Sequence, residues 1–297
     1  MVNKAIKLRE NKILLAWIIL VLLALFWGMS FIMIKRVVHA FTPIEIGAAR
    51  IFIAGLTLSP WAFTSISTFP KKKGLLLVLS GLMGYLLPAF IFATIGSKIN
   101  SSLAGTLNST TPIFVLVIGA MFFARKILKF QVIGLILGFF GSLLLIFSGS
   151  NGNLDFNNPY ALLGIGATVM YGINGNLIGN YLMDVKPMQL SAYSLFSVGL
   201  IAFVILLFTD FFSKILMPQN THLLIYLLIL GALNSGFAAV LFNFLIQISS
   251  PIFASSVTYL IPVVAVIAGI LDGEVISFWH FAGMGVILTG VYLINKK

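Results

Sequence analysis

The chain has 297 residues, of which 60% are hydrophobic and only 8% are charged. Charged residues make up about a quarter of an ordinary soluble domain, so this composition excludes a water-soluble globular protein and indicates an integral membrane protein. The absence of cysteine excludes disulfides, iron–sulfur clusters and thiolate metal sites. The net charge of +11 does not indicate a nucleic-acid partner, because the basic residues sit mostly in short connections and at the chain ends.

Polar and charged clusters divide the chain into ten apolar stretches, each about 20 residues long, the length that an α-helix needs to cross a bilayer. We predict an all-α integral membrane protein with helices near 13–34, 44–63, 74–96, 100–123, 130–148, 159–182, 188–209, 221–247, 251–271 and 278–294. The first stretch is too long for a signal-peptide core of about 7–15 residues. It is therefore expected to stay in the membrane.

The basic residues are distributed unevenly between the two ends of these helices. Thirteen of the 18 Lys and Arg precede the first helix, lie in the second, fourth and sixth connections, or end the chain. The positive-inside rule then places both termini in the cytoplasm, as an even number of helices requires. The expected location is a bacterial inner membrane.

The two halves of the chain repeat each other at nearly constant spacing. Three spacings, of 144, 149 and 150 residues, align Trp27 with Tyr171, Gly28 with Gly172, Gly55 with Gly199, Gly134 with Gly283, Gly141 with Gly290 and Pro112 with Pro262. We predict two five-helix repeats, residues 1–150 and 151–297. Because five is odd, the second repeat would enter the membrane from the opposite side, and the repeats would be inverted.

The fourth predicted helix carries hydroxyl and amide side chains at membrane depth. Ser101, Gly105, Asn108 and Pro112 recur on one helix face. Such residues suit close packing of two helices, or a bent polar helix that lines a solute path. Repetition of the pattern in the ninth helix favours the path, and Pro112 and Pro262 are predicted helix breaks with a role in gating. Inverted repeats with such helices are typical of secondary transporters.

Several segments resemble the EamA-type members of the drug/metabolite transporter superfamily. The resemblance covers the whole chain, and it is the order, spacing and duplication of short motifs that make it specific. The segments are Phe26–Lys35 for the first-helix signature, Pro43 followed by Arg50 for the second helix, and Pro262–Gly269, Gly273–Glu274 and Gly283–Tyr292 for the closing helix pair.

The resemblance implies a ten-helix exporter or facilitator of small metabolites, most often amino acids or related compounds. It also implies alternating access to a central cavity lined by the first, third, fourth, sixth, eighth and ninth helices. One departure is Arg125–Lys126, which stands where the family usually has a Gly–Glu pair. Because this pair lies in a loop, we expect it to alter gating contacts and not the solute site.

The candidate solute-binding residues fall on those same helices. Each one alone has a structural explanation, as an interfacial aromatic residue or a hydrogen bond between helices, but as a set they indicate an interior path. Asn108 and Asn174 are the preferred pair. The candidates are Trp27, Tyr85, Thr106, Asn108, Tyr171, Asn174, Asn234, Asn243, Thr258 and Tyr259.

Arg50 is the one cation within a predicted helix, about a turn and a half beyond Glu45. Two roles stay open for it: a structural contact with Glu45 or lipid headgroups, or a contact for a solute carboxylate. Glu45 lies at a helix end, and the other acidic residues lie outside the predicted helices. Because proton-driven antiporters usually carry a carboxylate at membrane depth, we predict facilitated diffusion or exchange without obligatory proton coupling.

Other functions are less well matched. A carrier of phosphorylated metabolites needs several cations at membrane depth, a multidrug exporter would use an acidic residue for cations, and an enzyme needs a convergent catalytic constellation. A channel or a membrane assembly protein stays open. The expected partners are a small-molecule solute and the lipid bilayer, without nucleic acid, cofactor or metal, and a monomer is expected with oligomers left open.

Overall fold

The computed structural model describes residues 2–98, 101–148, 159–271 and 278–296, and within these ranges the chain is helical and contains no strand. The predicted Gly273–Glu274 motif lies outside the described residues. We label the helices as follows: α1, Val2–Val37; α2, Pro43–Thr64; α3, Gly74–Gly81, Leu82–Leu86 and Leu87–Lys98; α4, Ser101–Asn108 and Thr111–Phe122; α5, Lys129–Ser148; α6, Tyr160–Tyr181; α7, Pro187–Leu207; α8, Leu224–Leu228, Ile229–Phe237 and Ala238–Ile248; α9, Pro251–Ser255 and Val257–Leu271; α10, Phe278–Asn295.

Of these helices, all but α9 are long and apolar enough to cross a membrane, which gives nine candidate spans among the described residues. The apolar part of α9, Pro251–Val264, is shorter. Large apolar side chains such as Leu14, Leu56 and Leu162 are more than half exposed on the outside of the bundle. A polar solvent would oppose that exposure and a lipid environment accommodates it, so the prediction of a multi-pass helical membrane protein is confirmed.

Helix starts follow from residues that satisfy or remove the first free backbone N–H groups. At α2, Thr42 and Glu45 form a capping box, in which the Thr42 N–H donates to Glu45 Oε2 at 2.7 Å and the Glu45 N–H donates to Thr42 Oγ1 at 3.3 Å. Proline opens α2, α7 and α9, where its missing N–H costs no helical hydrogen bond. These sequence signals therefore set where the helices begin.

Helices α4 and α9 are both interrupted, but at different places. In α4 the interruption at Ser109–Thr110 comes just before Pro112, as predicted. In α9 the interruption is at Ser256, and the helix runs on through Pro262, so the predicted break at Pro262 is wrong. The hydroxyls of Ser255, Ser256 and Thr258 each donate to the carbonyl three residues earlier, and this competition with the backbone accounts for the earlier break.

Helices α3 and α8 each contain a π-helical segment in the middle. The segments are Leu82–Leu86 and Ile229–Phe237, and the second includes the residues 150 positions after the first. A π segment widens a helix and is frequent at functional sites. The internal repeat therefore extends to this irregular backbone geometry.

Glycine pairs bring α2 against α7 and α5 against α10. A Cβ atom added to Gly55 would lie 3.2 Å from Gly199 Cα. Likewise, a Cβ on Gly134 would lie 2.6 Å from the Gly290 oxygen, and one on Gly141 would lie 3.1 Å from the Gly283 oxygen. The backbones approach so closely that larger residues would separate the helices.

Contacts made by one half recur with the roles of the halves exchanged. A Cβ on Gly28 in α1 would meet Val264 of α9 at 2.7 Å, and one on Gly172 in α6 would meet Phe114 of α4 at 3.0 Å. Gly172 follows Gly28 by 144 residues, and Val264 follows Phe114 by 150. Both spacings are those of the sequence repeat.

Two ion pairs join connections at the ends of the bundle. The Lys214 ammonium lies 2.9 Å from each carboxylate oxygen of Glu45, which is buried. Lys73, between α2 and α3, pairs with Asp184, between α6 and α7. The hydrogen bond from Lys73 holds the pKa of the Asp184 carboxyl below its usual range. The two connections joined by Lys73 and Asp184 therefore lie at the same end of the bundle.

Candidate functional site

A polar cluster lies in the interior between α1, α2, α3, α6 and α8. Its ionisable members, Arg50, Tyr85 and Tyr171, are surrounded by protein, yet each keeps part of its surface accessible. Accessible polar surface deep in a helix bundle indicates an internal space. A separate depression of about 520 Å³, lined by residues 38–44 with Thr94 and Lys98, contains none of the predicted site residues.

Arg50 places a positive charge in this cluster. Its Nη2 donates to Ser235 Oγ at 3.3 Å, and that hydroxyl in turn donates to the Leu230 carbonyl at 2.9 Å. The Arg50 Nε is buried and has no hydrogen-bond partner among the described residues. No carboxylate in the described part of the chain lies within 4.0 Å of the guanidinium, so its charge has no counterion there.

Of the contacts left open for Arg50, the structure does not show the one with Glu45, which pairs with Lys214. The capping box at the start of α2 turns the Glu45 carboxylate toward the connection that carries Lys214, and both carboxylate oxygens contact that ammonium. Lys214 is distant in sequence, so the spacing of Glu45 and Arg50 could not reveal this partner. Arg50 is thereby left for another anion.

Tyr171 links the arginine to the aromatic part of the cluster. It interacts electrostatically with both Arg50 and Tyr85. Its ring stacks on Phe92, with centroids 6.1 Å apart and planes inclined by 14°. The stacked rings therefore give the cluster a planar apolar surface.

Asn243 on α8 orients Tyr85 of α3. Its Nδ2 donates to Tyr85 Oη at 3.2 Å and to Ser191 Oγ of α7 at 2.7 Å. The Asn243 side chain is fully buried, whereas Tyr85 keeps accessible surface. The geometry makes Asn243 a positioning residue behind the tyrosine.

Trp27 closes the cluster on the α1 side. The indole N–H donates to the backbone carbonyl of Asn234, in the π segment of α8, at 2.9 Å. The Trp27 ring packs against Phe242 with centroids 5.5 Å apart. The Asn234 side chain is nearly buried and points to the Met33 sulfur at 3.9 Å, so its backbone and not its amide meets the tryptophan.

Asn174 lies in a helix contact. Its Oδ1 accepts from Ser80 Oγ at 2.7 Å, and its Nδ2 would lie 2.2 Å from a Cβ on Gly84, so the amide packs on the α3 backbone. Asn108, partly exposed at the end of the first segment of α4, is not hydrogen bonded to Asn174. The structure does not join the preferred pair directly.

The remaining predicted residues lie apart from the cluster. Thr106 is buried with a hydroxyl that has no partner among the described residues, and Thr258 donates to the Ser255 carbonyl at 3.0 Å. Tyr259 is fully buried, donates to the Leu135 carbonyl at 3.2 Å and packs on Gly138. The contact of Thr258 lies within α9, and the contacts of Tyr259 join α9 to α5.

Among the buried polar residues that were not predicted from the sequence, Ser80 and Asn176 join helices. Ser80 holds Asn174, and the Asn176 amide nitrogen donates to the carbonyls of Val115 at 2.8 Å and Gly172 at 2.9 Å, which joins α6 to α4. Asn176 lies two residues from Asn174, and this Asn-x-Asn pattern within an apolar helix was an available signal. Ser80 has no distinguishing sequence context.

The Arg125–Lys126 departure lies at the end of α4. Arg125 is partly buried beside α6, with its Nη2 3.9 Å from where a Cβ on Gly179 would be. Burial lowers the pKa of the Arg125 guanidinium. The guanidinium thus contacts the end of the bundle, away from the interior cluster.

Long apolar helices around an interior polar cluster define a multi-pass membrane protein. The model of the EamA-like transporter family matches residues 14–147 and again residues 158–296. The chain therefore belongs to the EamA-like transporter family and is a membrane transporter, which confirms the predicted resemblance.

Several known proteins are similar to this chain over most of their length. An uncharacterized transporter of Archaeoglobus fulgidus is 28% identical over 95% of this chain and 99% of the relative. The uncharacterized inner membrane transporter YedA of Escherichia coli K12 is 25% identical, with 92% and 88% covered. A probable amino-acid metabolite efflux pump of Salmonella typhimurium is 24% identical, with 92% of each chain covered.

A solved crystal structure has the same fold. It superposes with a TM-score of 0.73 over 94% of this chain and 95% of the other chain, at 15% sequence identity. At that identity the likeness extends to the fold alone.

Proposed function

We propose that this transporter exports, or facilitates the passage of, small polar metabolites, most often amino acids or related compounds. The observation that carries the proposal is the Arg50 guanidinium, which lies deep in the bundle beside Tyr171 without a carboxylate partner among the described residues. A buried charge without a partner is costly, and a solute carboxylate would supply the missing anion. The Salmonella relative, named as an amino-acid metabolite efflux pump, supports the solute class.

The transport cycle that we propose is alternating access between two inverted five-helix repeats, residues 1–150 and 151–297, with ten membrane-crossing helices in all. The crossed glycine contacts of α5 with α10, and the recurrence of the α1–α9 contact between α6 and α4, support an approximate two-fold relation. Inverted repeats place the solute site between them. The interior cluster contains residues from both halves of the chain, as this arrangement requires.

The proposed mechanism does not require proton coupling. Glu45 lies in the first turn of α2 and is paired with Lys214, which leaves it poorly placed as a proton relay at membrane depth. Facilitated diffusion or exchange then follows. Solute flux that requires an imposed pH gradient would contradict this part of the proposal.

The proposed location is the inner membrane, with both termini in the cytoplasm. The uneven distribution of Lys and Arg supports this orientation, and a relative is named as an inner membrane transporter. The contact between Lys73 and Asp184 agrees with placing their two connections on one face. A monomer is proposed as the functional unit.

The test is uptake of labelled amino acids into proteoliposomes that contain the purified protein, with and without a pH gradient. Arg50→Gln should lower the initial uptake rate at least about tenfold, the effect of losing about 1.4 kcal/mol of binding. Arg36→Gln is the matched control, because Arg36 is exposed near the end of α1 and its loss should leave uptake unchanged. Unchanged uptake by Arg50→Gln would contradict the proposed site.

The predicted asparagines are tested in the same assay. Asn108→Ala is expected to lower uptake if Asn108 lines the path beside the break in α4. Asn174→Ala should mainly lower the amount of folded protein, since its amide is held by Ser80. A phosphorylated solute is less favoured, because Arg50 alone among the described Lys and Arg residues is placed in the cluster.

A further inference from the structure

We infer that the site selects solutes that carry one net negative charge and an apolar or aromatic body over the corresponding zwitterions, and that their passage moves charge across the membrane. The inference rests on the proposed function, because it concerns the same site, and it names the solute class. Carboxylates derived from amino acids by loss or masking of the amino group are such solutes.

The charge of the cluster is positive. Arg50 is positive, and its described polar neighbours are neutral: the Ser235 hydroxyl at 3.3 Å and, through a longer-range electrostatic interaction, Tyr171. Ser235 already donates its proton to the Leu230 carbonyl, so it faces the guanidinium with a lone pair. An anion in this space would meet one positive charge and no described carboxylate.

Arg50 also keeps a hydrogen-bond donor that is not used. The Arg50 Nε has no described partner, while Nη2 makes a long hydrogen bond to Ser235. A guanidinium presents its N–H groups in a planar fork that matches the two oxygens of a carboxylate. The guanidinium therefore has unused donor capacity, and a solute carboxylate that reaches it would neutralise its charge.

A zwitterionic solute also carries an ammonium group, which the cluster would have to accommodate. In an α-amino acid the ammonium lies within a few ångströms of the carboxylate, so a carboxylate on Arg50 would bring the ammonium close to the guanidinium. The nearest acidic residue on α2 is Glu45, and Lys214 occupies both of its oxygens. The described part of the cluster offers the ammonium only neutral acceptors, such as the Asn243 amide oxygen, and aromatic rings. Without a carboxylate to compensate it, a buried cation is strongly disfavoured.

Aromatic side chains contribute apolar surface to the cluster. The stacked pair of Tyr171 and Phe92 and the packed pair of Trp27 and Phe242 bring aromatic surface from four helices. Aromatic rings favour offset or edge contacts with other rings. An aryl or branched aliphatic body on the solute would fit beside the carboxylate contact.

The charge of the solute sets the direction in which the membrane potential drives it. A monoanion that crosses without a co-ion moves one elementary charge, and 100 mV then changes its equilibrium distribution about 50-fold. An inside-negative potential drives such an anion out of the cell. Export would then need no proton relay, which agrees with the pairing of Glu45 at the helix end.

The test compares three solutes with a common benzyl group: 3-phenyllactate with charge −1, phenylalanine as the zwitterion, and phenylalaninamide with charge +1. Proteoliposomes at equal pH on both sides are set to about +100 or −100 mV by potassium gradients with valinomycin, and empty liposomes give the passive rate. Phenyllactate uptake should be at least about tenfold faster than phenylalanine uptake. It should rise with an inside-positive potential and fall when the potential is reversed.

Arg50→Gln should abolish both the preference and the response to potential, while Arg50→Lys should keep the charge selectivity at a reduced rate. Arg36→Gln serves as control and should behave as the wild type. If the Arg50 variants fail to fold, the comparison of the three solutes with the wild-type protein still tests the inference.

Phenylalanine uptake that equals or exceeds phenyllactate uptake, without a response to potential, would overturn the inference and leave the proposed function intact. If no member of the series is transported above empty liposomes, and none raises the unfolding temperature of the purified protein, the inference fails. The proposed function fails as well if none of the labelled amino acids is taken up. Stabilisation by phenyllactate alone would support the selectivity.

Discussion

Asn174 shows how a polar residue at membrane depth can serve the fold. Its side chain is nearly fully buried, and its hydrogen bond with Ser80 joins α6 to α3. A lone amide of this kind stabilises a helix contact. Arg50 differs, because part of its hydrogen-bonding capacity is unused and part of its surface is accessible.

Ser80→Ala should lower the free energy of unfolding by about 1 kcal/mol, because the buried Asn174 oxygen loses its donor. The double variant Ser80→Ala, Asn174→Ala should reveal a coupling of about 0.6 kcal/mol, typical of hydrogen bonds between membrane helices. Unfolding in detergent micelles measures both values. Ser197→Ala is the control, since Ser197 only donates to the carbonyl of Ser194 in its own helix. A selective loss of uptake with unchanged stability would instead make Asn174 a solute contact.

At the scale of elements, the contact of α5 with α10 depends on the missing side chains of glycine. A Cβ on Gly290 would lie 2.6 Å from Gly138 N and 2.7 Å from the Gly134 oxygen, whereas a Cβ on Gly285 in the same helix would meet nothing within 4 Å. Gly285 and Gly290, both in α10, therefore have opposite environments.

Gly290→Ala should destabilise the protein by about 1–3 kcal/mol, because the new methyl group would push two backbones apart. Gly285→Ala should be neutral or stabilise by up to about 1 kcal/mol through helix propensity. The unfolding midpoints of the two purified variants provide the comparison. Equal midpoints would show that α5 and α10 do not pack as closely as the structure indicates.

The turn after α4 contains a strained residue. Ala124 has a φ of 50°, in the left-handed region that glycine adopts without penalty. It follows the end of α4, where the Arg125 N–H donates to the Gly119 carbonyl at 3.0 Å, and glycine is favoured at such helix ends.

Ala124→Gly should stabilise the protein by about 1 kcal/mol, the approximate cost of the left-handed conformation for a residue with a Cβ atom. Ala120→Gly is the matched control within the last turns of α4 and should destabilise by up to about 1 kcal/mol. Thermal unfolding of the two variants gives opposite signs if the backbone is as described. Destabilisation by Ala124→Gly would contradict it.

At the scale of the whole molecule, the membrane orientation of the connections can be read directly, because the chain has no cysteine to remove. Lys72 and Lys186 are exposed in connections that the structure brings to one end, through Lys73 and Asp184. His39 and Gln219 are exposed in the connections that Glu45 and Lys214 join.

In intact cells, a membrane-impermeant maleimide should label His39→Cys and Gln219→Cys but not Lys72→Cys or Lys186→Cys, because the positive-inside rule puts the lysine-rich connections in the cytoplasm. All four variants should react after permeabilisation. The reverse labelling pattern would invert the proposed orientation, and mixed labelling within either pair would contradict the packing at that end.

Composition and hydropathy were enough to predict a helical multi-pass membrane protein and the approximate limits of its helices, because each helix satisfies its own backbone hydrogen bonds and must be apolar over a bilayer's thickness. Proline and capping residues marked helix starts for the same local reason. The spacing of glycines predicted the repeat, since close helix contacts need glycine at fixed intervals.

The tertiary structure alone decided which polar residues meet. Arg50 lies beside Ser235 of α8 and Glu45 beside Lys214, and these partners are separated by more than 160 residues, so no local pattern predicts them. The break in α9 fell at Ser256 and not at Pro262, because hydroxyl competition for carbonyls outweighed one missing N–H. Membership of a transporter family follows from the sequence, whereas the position of an unpaired charge in the interior follows from how the helices pack.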